Sequence, residues 1–71
     1  MHPADIQSEL KKRGITQKSI AQELERSEFH ISAVIRKLRD SDLVMRAVAK
    51  KIHRDHREVF PEYYFNLSKA A

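Results

Sequence analysis

Apolar side chains return every third or fourth position along most of this chain, the spacing that gives a helix one dry face. Ile6 and Leu10 define the first such run, with Pro3 suited to its opening turn and Asp5 near the positive end of its dipole. Lys11, Lys12 and Arg13 close it with cations, and Gly14, the only glycine, fits a left-handed position just beyond. Ile15 packs as the chain turns, and Thr16 is placed to cap a second helix carrying Ile20, Ala21 and Leu24. A corner over residues 25–27 leads into a third helix, capped by Ser27, with Ile31 and Val34 on its inner side and an expected end near Leu38. A fourth is predicted over residues 41–53 from Val44, Ala47, Val48 and Ile52, capped by Asp40 or Ser41. Asp55 and Glu58 have capping-box spacing for a short fifth helix, whose Val59 and Phe60 seal the core and which Pro61 ends. Residues 62–71 read as a tail, too apolar at Tyr63, Tyr64, Phe65 and Leu67 to be a plain solvated end. The expected architecture is a single all-α domain of four or five helices over residues 1–71.

Residues 16–36 carry most of the functional information. Two short helices crossing steeply need a small residue where their backbones meet, and Ala21 supplies it; Ile20, Leu24, Ile31 and Val34 close the corner from within. This is a helix-turn-helix pattern. The helix over residues 27–38 is left with an outward face of Ser27, Glu28, Phe29, Ser32, Ala33 and Arg36, which is free to enter a DNA major groove. Ser32 and Ala33 are small enough for close approach to bases, with a methyl ready for thymine. Glu28 either accepts from a cytosine amino group, pairs with Arg26, or caps its own helix. Phe29 either touches a thymine methyl or folds inward. Thr16, Gln17 and Lys18, at the start of the second helix, suit a phosphate, the alternative being an ordinary capped start. Lys37 and Arg39 form with Arg36 a positive cluster that straddles the DNA backbone, unless it is only a solvated face.

Composition narrows the field further. Seventy-one residues make one small core, with an expected net stability of about 3–5 kcal/mol, and leave little room for a large catalytic cleft. There is no cysteine, so neither disulfides nor thiolate metal sites are available. The formal charge of +4 favours a polyanionic partner without demanding one. No apolar run approaches a membrane span and the first residues do not read as a signal peptide, so a soluble, cytoplasmic protein is expected. His53 and His56 lack a third strong metal ligand, and no catalytic motif appears; the expectation is no cofactor, no metal and no enzyme.

The segments HPADI, LKKRG, SIAQEL, ISAVI and EVFPEYY, spread over about residues 2–64, resemble the Ner-like family of phage and prophage regulators, within the lambda-repressor-like class. The resemblance implies a small transcriptional regulator, usually a repressor, that binds operator DNA as a pair of subunits. The corner position, commonly glycine in that class, is Glu25 here, which must either adopt a left-handed backbone at roughly 1 kcal/mol or bend differently. Pairing, on DNA if not before, is expected because one helix reads only a few base pairs. Tyr63, Tyr64 and Phe65 are the candidates either to join two subunits or to close one core. The competing class is a protein-interaction module, antirepressor or antitoxin-like, using the same fold.

Overall fold

Polar side chains start the helices by accepting backbone N–H groups that the first turn would otherwise leave bare. The computed structural model describes the backbone of residues 1–70 and the side chains of residues 1–65. His2 Nδ1 accepts from the Ala4 amide at 3.1 Å and opens α1, Pro3–Lys12. Thr16 accepts from Ser19 at 3.0 Å and opens α2, Gln17–Leu24. Ser27 accepts from His30 at 3.0 Å and opens α3, Glu28–Ile35. Ser41, rather than Asp40, caps α4, Asp42–Lys51. Asp55 accepts from Arg57 at 2.8 Å and opens α5, His56–Val59, while Glu58 pairs with Arg54 at 2.6 Å.

Three expectations need correction. α3 ends at Ile35 rather than near Leu38, because Lys37 takes a left-handed backbone at φ 63° and the amides of Lys37 and Leu38 fold back onto the carbonyls of Val34 and Ala33. Pro61 does lie just past the end of α5, but it also begins a sixth helix, α6, Pro61–Ala70. Phe60, at φ −124° and ψ 60°, makes the break, and proline is tolerated at a first helical position, where its missing N–H costs nothing. The segment read as a tail is therefore a helix. Leu67 lies outside the residues whose side chains are described.

The core joins all six helices. Ile6 and Leu10 of α1 meet Ile20 and Ala21 of α2, Ile31, Val34 and Ile35 of α3, and Val44, Met45, Val48 and Ala49 of α4. Ile52, Val59, Phe60 and Tyr64 complete it, with Met1, Ile15, Leu24 and Tyr63 half-buried at its edge. Met45 and Ala49 take places that the periodicity leaves open, whereas Ala47 is only half-buried. No strand occurs among the described residues.

Candidate nucleic-acid interface

The corner between α2 and α3 forms because Glu25 adopts the left-handed conformation, φ 55° and ψ 45°, that glycine takes without strain. Its amide and that of Arg26 return to the carbonyls of Gln22 and Ala21, at 3.4 and 2.9 Å, so the last turn of α2 is closed. Ala21 is buried where the two helices meet, and Ile20, Ile31 and Val34 are fully enclosed; Leu24 stays half-buried. Ion pairs tie the unit to other helices. Lys51 of α4 holds Glu23 of α2, and Lys37, just past α3, donates to Glu62 of α6 at 2.8 Å. The Lys37 contact also draws the Glu62 carboxyl below its ordinary range.

Glu28 and Phe29 are exposed on the first turn of α3, Phe29 at 86%, so the aromatic ring points out rather than into the core. Arg26 does not reach Glu28; its guanidinium bonds the carbonyls of Leu24 and Glu25, each at 3.3 Å. Ser32 and Ala33 are half-buried, and Arg36 is exposed at the C-terminal cap. Ser27 is occupied as the helix cap. Thr16 does the same for α2, beside an exposed Lys18 and a half-buried Gln17. Arg39 is exposed, whereas the side chain of Lys37 is only 23% accessible beneath its pairing with Glu62.

Charge is distributed unevenly. The cations on α1, α4 and α5 are largely committed: Arg13 to Glu9, Arg46 to Asp42, Arg57 to Asp55. Hydrogen bonds from the Arg57 guanidinium, and then from its backbone amide, hold the Asp55 carboxyl down at about 2. Among the described residues no ion pair engages Lys18, Arg26, Arg36 or Arg39, all within residues 16–39; Lys11 and Lys50 are also unpaired, outside that stretch.

The model of a winged helix-turn-helix DNA-binding family matches residues 1–71, which is the whole chain. The chain belongs to that family. No curated protein and no solved structure matches it. In this winged helix-turn-helix domain the described residues contain no β-strand, so the wing of the family's name has no counterpart among them. No helix among the described residues is long and apolar enough to cross a membrane.

Sequence reasoning missed two features of the site. Leu38, expected to end the recognition helix, stands beyond it and is 70% exposed next to Phe29, Ser32, Ala33 and Arg36. Lys37 turns out to link α3 to α6. Both arise from the left-handed backbone at Lys37, which no glycine, asparagine or proline signals in advance.

Proposed function

We propose that this domain is a sequence-specific transcriptional regulator, a repressor of phage or prophage type, that lays α3 in the major groove of operator DNA. The observation that carries the reading is the two-sidedness of α3. Ile31, Val34 and Ile35 are fully buried, while Glu28, Phe29, Ser32 and Ala33, with Ser27 before and Arg36 after, form an outer side slim enough to approach base edges. Thr16, Gln17 and Lys18 then face one DNA strand's phosphates, and Arg39 the other's; Lys37 joins them only by leaving Glu62. The unpaired cations of residues 16–39 supply the electrostatic part of the affinity. The segments HPADI, LKKRG and EVFPEYY support the narrower Ner-like assignment. Two subunits bind together, because a single recognition helix reads too few base pairs to select one site in a genome. Such a regulator works in the cytoplasm, on the nucleoid, without a cofactor.

Exposed Phe29 favours one other reading, a protein-interaction module. Selection from random duplexes, followed by affinity measurements at several salt concentrations, separates the two. A DNA regulator enriches one motif, and its affinity falls with log salt by about 0.9 for each phosphate neutralised. Failure to enrich any motif, or an affinity flat in salt, refutes the DNA reading.

A further inference from the structure

The early end of α3 changes what its outer side offers. Because the chain turns back through Lys37, Leu38 returns over the last turn, its amide held by the Ala33 carbonyl at 2.9 Å. Phe29, 86% exposed, and Leu38, 70% exposed, line with Ser32, Ala33 and Arg36 a hollow of about 90 Å³. Single exposed apolar residues are ordinary, but two large ones lining one hollow mark a contact. Arg36 belongs to this hollow and Arg39 lies just after it in the chain, both exposed and neither in an ion pair among the described residues. The setting therefore suits an apolar group carried on a polyanion. In the major groove of DNA that group is the thymine C5-methyl.

We propose that the hollow formed by Phe29, Ser32, Ala33 and Leu38 is a thymine-methyl site, so that the operator carries a T·A pair at the position facing the middle of α3. This rests on the DNA-binding reading and specifies one base within it. Size permits it: about 10–15 Å³ of such space already admits one water molecule, and a methyl group is of similar bulk, so a hollow of about 90 Å³ has room for a methyl and the ring edge beside it.

The test takes the full chain and the duplex it selects from a random pool, and replaces each thymine in turn by deoxyuridine, which removes only the methyl. One thymine per bound recognition helix is expected to respond, with a loss of about fourfold in affinity, the amount expected from one buried methyl group. Phe29→Ala and Leu38→Ala alter exposed side chains and leave the fold intact. Both variants should bind the thymine duplex more weakly than the native chain and be indifferent to deoxyuridine at that position. A selected motif that binds in a salt-dependent manner yet responds to no uracil replacement overturns the methyl site while leaving the DNA reading in place. A uracil effect that persists undiminished in both variants overturns it as well. If no duplex is selected, the DNA-binding reading fails first and the methyl site with it.

Discussion

A left-handed residue closes α1, α2, α3 and α4, and only one of the four, Gly14, is glycine; the others are Glu25, Lys37 and His53. The bonding is the same each time. At α1 the amides of Gly14 and Ile15 reach Lys11 and Leu10, each at 3.0 Å, and at α4 those of His53 and Arg54 reach Lys50 and Ala49 at 3.1 and 3.0 Å. A side chain with a Cβ is strained in this conformation by about 1–2 kcal/mol, whereas glycine is not, although glycine also loosens the unfolded chain. Glu25→Gly and His53→Gly are therefore expected to stabilise the domain by up to about 1 kcal/mol each, read as a shift in urea midpoint. Gly14→Ala should do the reverse by a similar amount, although an added Cβ there meets nothing within 4 Å, because the cost is strain and not collision. Lys37→Gly is a poorer test, since it also removes the bond to Glu62. If both glycine replacements lower the midpoint, the entropy of the unfolded chain outweighs the strain.

For the elements, α2 and α3 have one alanine facing each way, and the pair separates folding from binding. Ala21 is buried between the helices, so Ala21→Glu places bulk and charge in the core at a cost of several kcal/mol, comparable to the whole stability of a domain this small. Loss of helical circular dichroism should reveal it. Ala33 lies half-buried on the outer side of α3, and Ala33→Glu should keep that signal while weakening duplex binding on the order of a hundredfold or more through like-charge repulsion. A folded Ala33→Glu protein with native affinity would remove α3 from the interface. Local chemistry explains why so much of this unit was legible: the caps at Thr16, Ser27, Ser41 and Asp55, and Ala21 at the corner, act within a few residues of themselves. The misread boundaries depended on remote or ambiguous information. Pro61 means a stop to the preceding helix and a start to the next, and the contacts that hold the second one, the buried Tyr64 and the Lys37–Glu62 pair among them, come from residues distant in the chain. Phe29 had no local reason to point outward, since the core that might have taken its ring is filled by Phe60, Ile31 and their neighbours.

On the scale of the molecule, α6 acts as a strap that ties the exit of α3 to the start of α4. Glu62 ties it to Lys37 at the exit of α3, and the Tyr64 hydroxyl donates to Asp42 at the start of α4, at 2.7 Å. The Tyr64 ring meets His56 of α5 edge-on and is only 8% exposed, which puts it in the core of its own subunit, whereas Phe65 is 59% exposed. Deleting residues from 63 onward should therefore collapse the melting temperature; an unchanged melting point with lost cooperativity on DNA would instead make the segment an interface. The Tyr64–Asp42 bond also has a pH signature. That bond, with Arg46 second, holds the Asp42 carboxyl below its ordinary 3.8, so the stability it contributes is present above 3.8 and lost as pH falls through the lower value of the folded state. Burial, and then Asp42, pushes the Tyr64 phenol above its ordinary 10.0; this contribution is present below 10.0 and lost as pH rises beyond it. Because Glu62, the strap's other tie, is likewise held below its ordinary 4.5, the strap should be insensitive to pH between 4.5 and 10.0. Tyr64→Phe keeps the ring but removes the hydroxyl, which leaves no phenol to ionise at this position and deprives Asp42 of the strongest influence on its carboxyl. Its melting temperature should be lower near neutrality, and its decline on both the acid and alkaline sides should be shallower than in the native chain. The acid decline should shrink without vanishing, because Glu9, Asp55 and Glu62 are also held low by cations. Melting curves of the two proteins across the pH range decide the matter: profiles that run parallel throughout would show that this hydrogen bond does not hold the strap.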